Sequence, residues 1–182
     1  MFASETHDVN AALRFACVAF AVATSSCTTP VPPAGMTLPF NAIDVAWSRA
    51  SGTAIVEGRA AISPVGDAAQ TCAGGEAQLV PAGTYAAEMM RIVFGNGVRG
   101  FAPVASARYP ASIASDFAAT VRRIGCDPEG RFRFDGVPAG RWYVFSNVVF
   151  RSPGGETALQ GGSLMQRIDV AEGARVNVLL TP

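Results

Sequence analysis

Residues 127–145, DPEGRFRFDGVPAGRWYVF, constrain this chain more than any other stretch, because they set two strand-like runs around a proline and glycine turn. Phe132 and Phe134 fall on one face of a period-2 pattern, with Arg131, Arg133 and Asp135 on the other. That alternation marks a strand with a core on one side and water on the other. The turn is Gly136, Val137, Pro138, Ala139 and Gly140, where proline presets its own φ and glycine takes the positive φ of a tight reversal. A second strand starts at Arg141, so the whole reads as a β-hairpin. Residues 141–151 are apolar on both faces, Trp142 and Val144 alternating with Tyr143 and Phe145, which places this strand in the interior of its sheet. Aromatic residues at period 2 are read as core filling ahead of a glycan-stacking platform.

Further strands are expected over 53–63, 76–80, 117–126, 164–171 and 174–181, making seven with the two above. The loop 64–75 separates the first two strands. Thr84 is expected to cap a short helix whose apolar face carries Tyr85, Met89 and Ile92, which covers a sandwich edge and stops at Gly95. Residues 96–115 lack periodicity and contain Gly97, Gly100, Pro103 and Pro110, so they are read as a long connecting loop that borders any site. A hydrophobic content of 49% with 15% charged residues fits one globular domain with a real core. The expectation is an all-β, seven-stranded Greek-key β-sandwich with one short helix and a long loop.

The motif resembles that of the bacterial carboxypeptidase regulatory-like domains, a transthyretin-like or prealbumin-like β-sandwich group. Their hallmark is an acidic residue, glycine, an aromatic strand, Leu or Val, Pro-x-Gly and a second aromatic strand. Here it reads Glu129, Gly130, Phe132, Phe134, Val137, Pro138 and Gly140. Upstream, Gly58, Thr71, Cys72, Ala73, Gly74, Glu76, Leu79, Pro81 and Tyr85 also look like members of that group. The resemblance implies a sandwich over 53–182 and is nearly silent on function, since such domains occur as peptidase appendages, receptor parts and free-standing exported proteins.

The apolar run over 15–23, followed by Thr24, Ser25, Ser26 and Cys27, is too short to span a bilayer and fits a secretory signal peptide over 1–26. Small residues before a cysteine resemble the bacterial lipobox, which implies lipidation of Cys27. Thr24 departs from the usual Leu or Val, and Glu5 and Asp8 are out of place in a leader, which a downstream start at Val9 would repair. The alternative is plain cleavage near Ala23–Ser26 without lipid. Residues 27–52 then form the anchor and a tether, with Pro30, Pro32, Pro33 and Pro39 favouring extended polyproline II. Thr28 after the anchor suits the outer membrane facing the periplasm; a soluble periplasmic or secreted protein is the alternative. Cys72 and Cys126 remain in the domain, either joined by a disulfide in an oxidising compartment or buried as thiols.

Chemistry is bounded by subtraction. The sole histidine, His7, precedes the apolar run, so serine triads, cysteine–histidine dyads and most catalytic metal sites lose a partner. No catalytic residue, metal or cofactor is expected. The remaining enzymatic option is a carboxylate pair, Asp116 with Asp127 or Glu129, acting as a hydrolase on envelope polymer. Residues 127–130 offer oxygen ligands for calcium without the dense acidic spacing of a dedicated site. Fourteen basic residues balance fourteen acidic ones, so nucleic acid is not an expected partner. Arg122, Arg123, Arg131, Arg133 and Arg141 form a candidate stripe, read as a solvated face or as a contact for lipid A or an acidic glycan. The reading is a non-catalytic exported lipoprotein presenting a β-sandwich to an envelope protein or glycan.

Overall fold

The computed structural model describes residues 35–63, 68–151 and 158–182, so the leader, Cys27, His7 and most of the proline-rich segment lie outside the described residues. Nine strands are described: β1 (Ala54–Ile62), β2 (Gln70–Thr71), β3 (Glu76–Pro81), β4 (Arg99–Pro103), β5 (Arg122–Gly125), β6 (Arg131–Val137), β7 (Gly140–Arg151), β8 (Leu159–Val170) and β9 (Arg175–Leu180). Helix α1 spans Thr84–Phe94 and the short α2 spans Ser115–Ala118. The strands build an all-β sandwich. In the first sheet β1 pairs antiparallel with β6, parallel with β9 and, at its end, antiparallel with the short β2. The second sheet has the order β4-β8-β7-β3-β5.

Between the sheets lies one core, in which Val56, Leu79, Phe132, Phe134, Trp142, Val144, Leu164 and Leu180 are all buried. The second sheet is covered on its other face too. There Tyr143 and Met165 pack under Tyr85, Ala86 and Met90 of α1 and Phe117 of α2. This explains why β7 is apolar at consecutive positions: it is the central strand of a sheet buried on both sides.

Several expectations change. β6 and β7 are not partners in a hairpin: Phe134 pairs with Val56 in the first sheet, whereas Trp142 pairs with Pro81 and Ile168 in the second. The link is an arch between sheets, and only Pro138 and Ala139 separate the two strands. The Trp142 indole N–H donates to the Pro138 carbonyl at 3.2 Å, fixing the arch from inside. The two strands beyond the expected seven are β2, inside the presumed loop 64–75, and β4, inside the presumed long loop. Arg99–Pro103 pairs with β8 as an edge strand, where a terminal proline is tolerated. The segment expected as strand 117–126 begins as α2, because Phe117 turns into the second cluster; the strand starts at Arg122.

Helix α1 begins at Thr84, with Gly83 in the cap position, and the Thr84 hydroxyl donates to Asp44 Oδ2 at 2.8 Å instead of capping. Its buried face is Tyr85, Ala86 and Met90, with Met89 half-buried, and it covers a sheet face and not an edge. The stop at Gly95 is as expected, its N–H bonding the Arg91 carbonyl at 2.9 Å.

Residues ahead of Thr53 are packed as well. Asn41 caps a 3₁₀ helix over Ala42–Arg49, accepting the Ile43 N–H. Phe40 meets Tyr85 and Phe117 edge-on, each at 5.7 Å between ring centroids. Trp47 stands edge-on to Trp142 at 5.0 Å. Glu88 on α1 clips this segment down, accepting from the Thr37 hydroxyl, from the Thr37 N–H at 3.0 Å and from the Leu38 N–H at 2.9 Å.

Candidate functional site

The first sheet has a wet outer face, and there the alternation read in residues 131–135 has its consequence. Glu57 and Arg59 on β1, Arg131, Arg133 and Asp135 on β6, and Arg175, Asn177 and Leu179 on β9 all point away from the core. Cross-strand register sets Glu57 beside Arg133 and Asn177, and Arg59 beside Arg131 and Leu179. Over this face opens a groove of about 820 Å³. It crosses β6 and β1, from Ile124 and Gly125 of β5 at one end to Asn177 and Leu179 of β9 at the other.

The Ile124 end is built by the motif residues. Asp127 Oδ1 accepts the N–H groups of Glu129 at 3.0 Å and Arg131 at 2.8 Å, while Oδ2 accepts Arg131 Nε at 2.8 Å. These bonds, the Arg131 backbone N–H first, hold the Asp127 carboxyl below its ordinary range. Gly130 has φ of 75°, and a Cβ there would lie 2.5 Å from Thr71 Cβ and 2.9 Å from the Ala60 carbonyl oxygen. Both conformation and space therefore demand glycine. Gly140 answers a different need: a Cβ would meet the Trp47 ring at 2.3 Å, so this glycine is the seat of that indole. Phe132, Phe134, Val137 and Pro138 are buried, as a structural motif requires. Cys72 and Cys126 are bonded, with Cα atoms 5.8 Å apart, which ties the groove wall between Gly125 and Asp127 to the strand end after β2. The alternative of two free thiols is thereby set aside.

The arginine stripe does not exist as a stripe. Arg122 and Arg123 belong to β5 and Arg141 to β7 of the second sheet, while Arg131 and Arg133 lie on the first. Each is engaged: Arg123 with Glu76 at 3.5 Å, Arg141 with Asp169 at 2.9 Å, Arg131 with Asp127 and Glu129 at 2.8 Å each, Arg133 with Glu57 at 2.9 Å and Asp135 at 2.8 Å. Arg122 donates to the carbonyls of Asp135 and Gly136, bridging the two sheets at their edge. Glu57 also accepts from Arg175 at 2.9 Å, and this bond leads the effects that lower its pKa; Arg133 does the same for Asp135. Arg59, which the sequence did not single out, donates Nε to the Glu129 carbonyl at 2.8 Å.

Acid–base chemistry finds little support in these positions. Asp116 and Asp127 lie at opposite ends of β5, and Glu129 shares Arg131 with Asp127. A general acid near neutral pH needs a raised carboxyl pKa, the opposite of the shift at Asp127. Among the described residues no group of three or more His, Cys, Asp or Glu is placed to hold a metal ion. The former loop, 96–115, does not line the groove. Instead Tyr109 shares a hydrogen bond with Ser163, whose hydroxyl donates to Asn147 Oδ1 at 2.5 Å on the outer face of the second sheet.

Fold and site together define an all-β sandwich with a groove of mixed polar and apolar lining on one exposed sheet face, an arrangement compatible with a binding module. No protein-family model and no curated protein matches the chain. A crystal structure from Pseudomonas aeruginosa, described as a "putative carbohydrate binding protein", is similar, with a TM-score of 0.68 and 23% sequence identity over 80% of this chain and 99% of that one. At that identity the likeness is one of fold.

Proposed function

We propose that this chain is a non-catalytic exported binding protein that presents the wet face of its first sheet to a glycan of the bacterial cell envelope. One observation carries the reading: a groove open to solvent whose lining alternates fixed ion pairs, an amide and two exposed aliphatic side chains, Ile124 and Leu179. Sugars are recognised by such mixtures of planar polar groups and apolar surface. The similar Pseudomonas protein, described as a putative carbohydrate binder, supports the same ligand class. The carboxypeptidase regulatory-like assignment belongs to this proposal, with Glu129 to Gly140 as its structural motif.

Export is supported by the Cys72–Cys126 bond, a kind of link that persists in oxidising compartments. In this reading Cys27 carries a lipid anchor at the outer membrane. Met36 and Phe40 pack on the second-sheet side of the sandwich and do not line the groove.

Two experiments test the proposal. Binding of the purified protein to an array of envelope glycans is expected, and Asn177→Trp, which fills the groove from an exposed strand position, is expected to abolish it. Absence of binding across the array, or binding untouched by that change, overturns the ligand reading. Mass spectrometry of protein from its native cells is expected to show a mature chain beginning at acylated Cys27; an unmodified N-terminus removes the anchor.

A further inference from the structure

The groove's hydrogen-bonding capacity is lopsided. Its carboxylates are committed: Glu57 takes Arg175 and Arg133 on its two oxygens, and Asp127 takes two backbone N–H groups and Arg131. Beside the groove, Glu129 holds Arg131 Nη2 at 2.8 Å. Its donors are not all committed. Arg59 spends only Nε, on the Glu129 carbonyl, and has no carboxylate partner among the described residues. That single bond orients the guanidinium and leaves Nη1 and Nη2, whose parallel N–H bonds match the two oxygens of a carboxylate. On the neighbouring strand the Asn177 amide has no partner among the described residues, and Leu179 stands directly beside Arg59 in register with 57% of its surface exposed.

We infer that the groove takes an acidic glycan, a uronic acid oligosaccharide whose carboxylate is gripped by Arg59 while its ring lies on Leu179 and bonds Asn177. The inference rests on the glycan-binding reading above and names the class of sugar. A free anion fits less well, because it leaves the aliphatic surface uncovered. Nor does the site draw anions from a distance: Arg131 faces both Asp127 and Glu129, so the cluster beside Arg59 carries surplus negative charge. Recognition is a local fork and not long-range steering.

The test is calorimetric titration of the whole protein with trigalacturonate, its fully methyl-esterified neutral counterpart and inorganic phosphate. Trigalacturonate is expected to bind, with esterification or Arg59→Gln each weakening it by about tenfold or more and Arg59→Lys restoring only part. Arg59 is exposed, and an unchanged circular dichroism spectrum and melting curve confirm that the variants fold. Equal affinity for acid and ester, indifference to Arg59→Gln, or phosphate binding as tightly as the oligosaccharide overturns the inference and leaves the wider glycan reading standing. Failure of both sugars to bind overturns the inference, and the glycan array then decides the wider reading separately.

Discussion

The two sheets of this sandwich bury their surfaces differently. The first has one face in the core and one in water; the second has the core on one face and α1, α2 and the incoming segment around Phe40 on the other. Their strands record the contrast. β6 alternates buried and exposed residues, whereas in β7 Trp142, Tyr143 and Val144 are buried in succession. A sheet covered over most of both faces gains stability and loses surface for ligands, while a half-wet sheet keeps a face free for polar chemistry. The groove lies on the second kind.

The largest effect should come from the shared core. Trp142→Ala is expected to cost about 3–5 kcal/mol, since it empties a fully buried site and unseats Trp47. Denaturant unfolding measures it, and a loss below about 1 kcal/mol would break the claim that the arch residue anchors both sheets. Next comes the tie at the groove wall: replacing Cys72 and Cys126 together by alanine should cost about 2–4 kcal/mol, read as a shifted urea midpoint. Phe40→Ala, which thins the cover over the second sheet, is expected to cost about 1–2 kcal/mol in the same assay. A neutral result there would make the segment a passive lead-in. On the wet face, Arg133→Ala should leave the unfolding midpoint unresolved from that of the parent protein, because exposed ion pairs are screened by water.

Acid sharpens the contrast further. Glu57, Glu88, Asp127 and Asp135 all have folded-state pKa values lowered by their donors. Their contribution is therefore fully present above the ordinary carboxylate range, near pH 4, and is lost as pH falls through the lower folded values. Melting temperature should be flat from neutral pH to about 5 and decline below about 4. A Glu88→Gln variant, with its clip on Thr37 and Leu38 weakened, should show a shallower acid decline.

Much of this architecture was legible because its cause is local. Period 2 in residues 131–135, the doubly apolar run after Arg141 and the stop at Gly95 each follow from short-range geometry. What the sequence hid was tertiary. An arch between sheets and a hairpin within one share the same alternation and the same proline and glycine turn, so pairing alone tells them apart. β4 is short and carries glycine and proline, which made a real edge strand resemble a loop. At the site, the sequence showed which arginines face outward on β6, but not which guanidinium lacks a carboxylate. Arg131 and Arg133 are neutralised by partners from turns and neighbouring strands, and Arg59 emerges as the available donor only once β1 is laid between β6 and β9.

The central claim is that ligand contact belongs to the half-wet sheet. Amide chemical-shift mapping of the labelled protein during titration with an array-positive glycan tests it most directly. The account predicts perturbations concentrated on β1, β6 and β9 around Glu57, Arg59, Arg133 and Asn177. A footprint on α1, α2 and the Tyr109 segment, with the first sheet unmoved, would contradict it.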